Sequence, residues 1–169
     1  MCKIFIGIGS NIEPQKNVAK AIAMLQNTFG DSLVSPVYKT SAVGFEGDDF
    51  LNLVVMTKTD LTPEKTVSAI HKIEKDMGYD RKLRQKYVPR CIDIDLLLYG
   101  GVIDKSIPLP RPGIARFAYI LKPLQDIAPY LICDESGLSC SELWNGFSDN
   151  TQKIMLEDSF NAACFSCNR

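Results

Sequence analysis

The chain has 169 residues, of which 46% are apolar and 23% charged, with a formal net charge of -1. That size and balance suit one globular domain with a sizeable core, and the near-neutral charge gives no whole-molecule attraction for nucleic acid, so any affinity for phosphate must come from a local cluster. No apolar run approaches the roughly 18 residues of a membrane span, and the opening segment runs into Ser10 and Asn11 without a cleavage pattern, so neither a membrane anchor nor an export signal is expected.

Ile4, Ile6 and Ile8 alternate at period two, which predicts a strand from Lys3 to Ser10 with one face buried. Pro14 then opens a helix whose inward positions are Val18, Ala21, Ile22, Leu25 and Phe29, and Gly30 stops it. Leu33 to Tyr38 reads as a second strand. Lys39 to Asp49, polar and containing Gly44 and Gly47, reads as a long mobile loop. Phe50 to Thr59 is a third strand, with Leu51, Leu53 and Val55 on one face and Phe50, Asn52, Val54 and Met56 on the other. Thr62 and Pro63 supply an N-cap and a first-turn proline for a helix that buries Val67, Ile70, Ile73 and Met77 and ends at Gly78.

A basic loop from Tyr79 to Pro89 precedes an apolar strand from Cys91 to Tyr99. Prolines 108, 110, 112 and 123 make the next stretch irregular. Strand–helix–strand repeated twice predicts an α+β fold, ferredoxin-like, with a mostly antiparallel sheet flanked by helices. Residues 1–160 form the single expected domain and residues 161–169 a disordered tail. The six cysteines are scattered and read as reduced thiols of a cytoplasmic protein. Cys164 and Cys167 have CxxC spacing but lack the second ligand pair a zinc site needs.

The chemistry concentrates between Pro89 and Leu98. Asp93 and Asp95, at i and i+2 of a strand, point to one face with Cα atoms ~6.5 Å apart, while Ile92, Ile94 and Leu96 fill the other. Two carboxylates that close repel unless a cation intervenes, and magnesium favours one or two carboxylates completed by phosphate oxygens and water. The pair therefore reads either as a metal–nucleotide platform or as the acidic outer face of a half-exposed strand. Arg81, Lys82, Arg84, Lys86 and Arg90 put five cations within ten residues just upstream. Such a cluster can balance triphosphate charge. It also fits a solvated basic loop, and nucleic-acid binding fits less well because only Tyr87 is interleaved with the cations.

These segments resemble, in order and at nearly the same spacing, the 6-hydroxymethyl-7,8-dihydropterin pyrophosphokinase family. The matching stretches are Ile8-Gly9-Ser10-Asn11, Tyr38 to Gly44, Phe50-Leu51-Asn52, Pro89 to Leu96, and Pro123-Leu124 with Ile127-Ala128-Pro129. The resemblance implies transfer of diphosphate from ATP to a pterin alcohol, with AMP released. It implies that Asp93 and Asp95 hold two magnesium ions, with Asp95 helping the alcohol lose its proton, and that Arg90, with Arg81 and Arg84, binds phosphate. Asn52 and the backbone around Thr40, Ser41 and Val43 would meet the pterin edge, beside Phe50 and Tyr119 at the ring. His71, Glu74 and Leu96 would lie along the nucleotide, and Arg111 and Arg116 near its phosphates.

The resemblance departs at four positions. Tyr79 stands where the family has an arginine, Val88 where it has a glycine, Arg111 where it has a histidine, and Phe117 where it has an arginine, with Arg116 directly before it. The expected partners are small molecules, ATP and the pterin alcohol, with no nucleic acid or membrane, and the expected assembly is a monomer or weak dimer. Two other functions compete: a pterin- or nucleotide-binding relative with weakened transfer, and a phosphotransferase for another heterocyclic alcohol.

Overall fold

The structure, a computed structural model, describes residues 1–41, 48–79, 91–134 and 136–160. Arg81, Arg84, Val88, Arg90 and Val43, most of the expected mobile loop, and the tail with Cys164 and Cys167 lie outside the described residues.

The elements follow the predicted order. They are β1 (Cys2–Ser10), α1 (Pro14–Phe29), β2 (Leu33–Val34), β3 (Tyr38–Thr40), β4 (Phe50–Thr59), α2 (Pro63–Asp76), β5 (Asp93–Tyr99), α3 (Ala118–Ile127), α4 (Cys140–Asn145) and β6 (Ile154–Leu156). The sheet runs β5-β1-β4-β3-β6, with β2 also on β4, and every pairing is antiparallel. β1 thus sits between β4 and β5, and β4 between β1 and β3, so each helical crossover skips one strand. This is the ferredoxin-like arrangement of an α+β fold.

Alternation along the strands divides the core in two. Ile4, Ile6, Ile8, Leu51, Leu53, Val55, Ile92 and Ile94 face α1 and α2, burying Val18, Ala21, Ile22, Leu25, Ile70 and Ile73. Phe5, Val54 and Leu97 face α3 and α4. α1 buries the five residues its periodicity predicted. In α2 the Thr62 hydroxyl accepts the Lys65 N–H at 3.4 Å as the cap. Its buried stripe includes Thr66 and Glu74, with Val67 and Met77 only partly buried.

The expected strand from Leu33 to Tyr38 is two short strands. Pro36 has no N–H to donate to a ladder. Ser35 bridges the break: its N–H donates to Val54 O and its Oγ accepts the Val54 N–H, both at 2.9 Å. Pro123, expected to keep the stretch after β5 irregular, lies within α3, and two further elements were not anticipated. α4 is fixed by a capping box between Ser139 and Glu142, and β6 adds an edge strand to β3. Among the described residues no helix is long and apolar enough to cross a membrane. Cys2, Cys91, Cys133 and Cys140 are free thiols.

Candidate active site

The register of the sheet brings Thr40, Phe50, Asn52, Asp93 and Asp95 of the predicted residues onto one face. Gly9 of β1 pairs with Asn52 on one side and Asp93 on the other, and Gly7 pairs with Val54 and Asp95. Side chains alternate across a strand, so Asn52, Asp93 and Asp95 all project on the α3 side, with Phe50 and Thr40 beside them. Strands lie about 4.8 Å apart, which sets Asn52 and Asp93 about 10 Å from each other across the sheet. Between them β1 offers only glycine.

That bare strip was missed in the sequence, although its signal, Ile-Gly-Ile-Gly with glycine on alternate positions, was in view. A Cβ at Gly9 would lie 3.0 Å from Asn52 Oδ1, and one at Gly7 3.3 Å from both Leu97 methyl groups. Glycine here keeps the sheet surface flat between an amide on one side and two carboxylates on the other.

Each flank is held by named contacts. On the β3–β4 side, the buried Asn52 amide donates to Thr40 Oγ1 at 2.8 Å, a diagonal cross-strand bond that fixes its orientation. Ser41 is exposed at the end of β3. Asn11 donates to Asp48 O at 3.4 Å and Lys39 pairs with Asp49 at 3.2 Å, anchoring the stretch that leads into β4. Ser10 Oγ donates to Cys91 O at 2.5 Å, tying the end of β1 to the entry of β5.

Tyr119, in the first turn of α3, stacks on Phe117 with centroids 5.3 Å apart and planes at 29°. The far end of that helix is bolted to β3. Tyr38 Oη donates to Asp126 Oδ2 at 2.6 Å, Lys122 pairs with Asp126, and the Lys122 ammonium stands 5.7 Å from the Tyr38 ring and 5.8 Å from that of Trp144. Burial first, then the Asp126 carboxylate, raises the Tyr38 phenol well above the ordinary tyrosine value.

On the β5 side, Asp95 Oδ2 receives an Arg111 guanidinium N–H at 2.5 Å, both side chains being about a quarter exposed (23% and 27%). Arg116, in the 3-10 turn Ile114–Arg116, is exposed. Glu74 lies on the opposite face, fully buried on α2, and its Oε1 accepts the Ile94 N–H at 2.9 Å. Among the described residues β5 is the edge of the sheet, so this bond takes up a ladder donor between the two aspartates that no described strand meets. Leu96 is buried on the same side as Glu74, and His71 is exposed on α2.

The arrangement offers a recognition edge with a fixed amide and nearby rings, a flat floor, and two carboxylates on one strand. Oxygen donors at that spacing suit a hard divalent cation such as magnesium.

Residues 5–129 match the family described as 7,8-dihydro-6-hydroxymethylpterin-pyrophosphokinase (HPPK). The chain is 37% identical over 136 residues to a 2-amino-4-hydroxy-6-hydroxymethyldihydropteridine pyrophosphokinase of Aquifex aeolicus, covering 78% of this chain and 84% of that one. It is 31% identical over 129 residues to the enzyme of that name from Bacillus subtilis, covering 73% and 76%. Among solved structures it resembles Plasmodium falciparum HPPK-DHPS with a TM-score of 0.67 at 14% identity, covering 86% of this chain and 43% of that longer one, a likeness of fold. The match spans β1 through α3, including the glycine floor and both flanks, and the chain belongs to the 7,8-dihydro-6-hydroxymethylpterin-pyrophosphokinase family.

Proposed function

We propose that the chain transfers the terminal diphosphate of ATP to 6-hydroxymethyl-7,8-dihydropterin, using magnesium held at Asp93 and Asp95. The observation that carries this reading is the ladder Asn52–Gly9–Asp93, which sets an amide and two carboxylates on one face with nothing but backbone between them. A flat bicyclic ring bearing a one-carbon alcohol fits that span. Its polar edge meets Asn52 and the strand end at Thr40 and Ser41, its faces meet Phe50 and Tyr119, and its hydroxyl reaches toward β5.

The pterin oxygen bonds to the β-phosphorus, the bond from that phosphorus to the bridging oxygen breaks, and AMP leaves with that oxygen. Bound divalent ions supply charge neutralisation for the phosphates. Of the chain's own groups, Asp95 accepts the alcohol proton. Arg81, Arg84 and Arg90, which lie outside the described residues, and Arg111 and Arg116, from the segment before α3, bind phosphate oxygens. The residues have to align and neutralise; no covalent enzyme intermediate is needed. Glu74 and Leu96, buried on the opposite face, act from behind β5, Glu74 through its hold on Ile94, and the exposed His71 is the one of the three left to meet the nucleotide.

The test is to incubate the protein with ATP, magnesium and the hydroxymethyl-dihydropterin and to follow AMP. Pterin-dependent AMP is expected, and its loss in Asp95→Ala with an unchanged fold. Wild-type turnover in that variant removes Asp95 from the chemistry. A second reading, binding with weakened transfer, is favoured by the engagement of Asp95 with Arg111. It predicts saturable pterin and nucleotide binding without AMP. AMP formed only with another heterocyclic alcohol would instead change the acceptor.

A further inference from the structure

The Arg111–Asp95 pair joins a side chain assigned to phosphate with one assigned to metal, at 2.5 Å. An arginine paired with a metal-binding carboxylate opposes the metal directly, since the two cations compete for the same oxygens. A histidine in that position can leave the carboxylate by losing its proton near neutrality. An arginine has no such exit, because the guanidinium stays charged. Release therefore requires either a cation that outcompetes it at Asp95 or an anion that draws it away.

The backbone around Arg111 restricts which part can move. Its N–H donates to Leu97 O at 2.8 Å, which tethers it beside β5 two residues from Asp95. The chain approaches through a bridge in which Asp104 and Leu109 exchange two hydrogen bonds of 2.9 Å. Only the side chain is left to swing. With 27% of the arginine and 23% of the aspartate side chain exposed, the pair opens to the solvent from which a ligand arrives. Water that reaches both side chains weakens the pair and lets it exchange partners.

We propose that Arg111 is an exchangeable counter-cation. It neutralises Asp95 before substrates bind, and it passes from that carboxylate to the nucleotide phosphates when the metal takes Asp95, so metal and nucleotide enter together rather than metal first. This rests on the reading of Asp93 and Asp95 as metal ligands, and it gives Arg111 two successive partners. A free metal has to displace a bound cation and gains little. A metal carried on a triphosphate provides the arginine with its next partner in the same event.

The test uses manganese as the metal probe, its free concentration read by electron paramagnetic resonance, with wild type, Arg111→Met, Arg111→His and Asp95→Asn. Each is titrated with the metal alone and with the metal plus an α,β-methylene ATP that cannot undergo transfer. Arg111→Met is expected to bind manganese alone about fivefold more tightly than wild type, the upper end for a solvent-exposed ion pair and fitting for one that is mostly covered. It is expected to bind the manganese–nucleotide complex more weakly. Arg111→His carries the same comparison if the methionine variant does not fold.

Equal manganese affinity in wild type and both Arg111 variants, with binding reduced in Asp95→Asn, overturns the exchange and leaves the metal site standing. Tighter binding of both metal and complex also overturns it, because Arg111 then only obstructs. Manganese binding that ignores Asp95→Asn removes the metal reading, and the exchange with it.

Discussion

Replacing Glu74 separates the two duties its position implies, closing a sheet edge and fixing the strand proposed to hold magnesium. The side chain is fully buried, and its Oε1 accepts the Ile94 N–H at 2.9 Å from the adjacent helix. In Glu74→Ala that donor loses this acceptor inside the protein, which costs about 1–3 kcal/mol, and the vacated space adds a cavity penalty. A total of about 2–4 kcal/mol translates, for a domain of this size, into a fall in Tm of about 5–12 °C. Glu74→Gln keeps a carbonyl oxygen of nearly the same reach and should lose less than half as much. Ile94 lies between Asp93 and Asp95, so loosening its backbone moves both carboxylates, and misplacement on the ångström scale lowers turnover by about tenfold to a hundredfold. The assays are thermal melts by circular dichroism and the AMP-release rate for the two variants side by side. An alanine variant that melts with wild type, or a glutamine variant as damaged as alanine, would refute the argument that the hydrogen bond is what matters.

The other predictions concern the floor and the flank. Gly9→Ala should fold, since it requires no positive φ, but its Cβ at 3.0 Å from Asn52 Oδ1 forces the amide off the Thr40 hydroxyl. Loss of one polar contact predicts pterin binding about tenfold weaker, measured by ligand fluorescence, with nucleotide binding unchanged. Tyr38→Phe removes the bond to Asp126 and should cost about 1 kcal/mol in a denaturant melt at pH 7. The sign of its pH dependence also follows. Because the folded phenol is held above its ordinary value, its contribution is complete below about pH 10 and is lost as the pH rises beyond it. The stability of Tyr38→Phe should therefore fall less steeply than that of wild type above pH 10, and parallel curves would count against the assignment.

Much of this architecture was legible because the signals were periodic. The stripe of α1 and the alternation in β1, β4 and β5 named the buried face residue by residue. Asp93 and Asp95 were read onto one face by the same rule, and the register confirms their common side. Where two elements had to meet, a single sequence was mute. Nothing local to Glu74 says that it will find Ile94, twenty residues on, nor that Arg111 will reach Asp95. The strand break at Pro36 was readable from proline chemistry, but its repair by the Ser35 hydroxyl depends on Val54. The capping box of α4 stood in the sequence as Ser139 and Glu142 yet preceded no sustained apolar run, which is why it went unremarked.

Phe117 shows how a departure from the family pattern can trade one function for another. An arginine expected there would bring charge toward phosphate, whereas the phenylalanine stacks on Tyr119 and lies against the bend at Gly113. A Cβ on that glycine would come within 2.7 Å of the ring, and its φ of 90° suits only glycine. Aromatic pairs of this kind add about 0.5–1.5 kcal/mol beyond the area they bury. In the proposed site that stack holds Tyr119 in place for the pterin ring. Phe117→Leu keeps the burial and removes the stack, so pterin affinity should drop about threefold to tenfold while nucleotide affinity stays level. Phe117→Arg should weaken the pterin as well and strengthen the nucleotide, if the lost cation is what the exchange gave up. A leucine variant with unaltered pterin binding would mean that Tyr119 is ordered by the bolt at Tyr38, Asp126 and Lys122 alone.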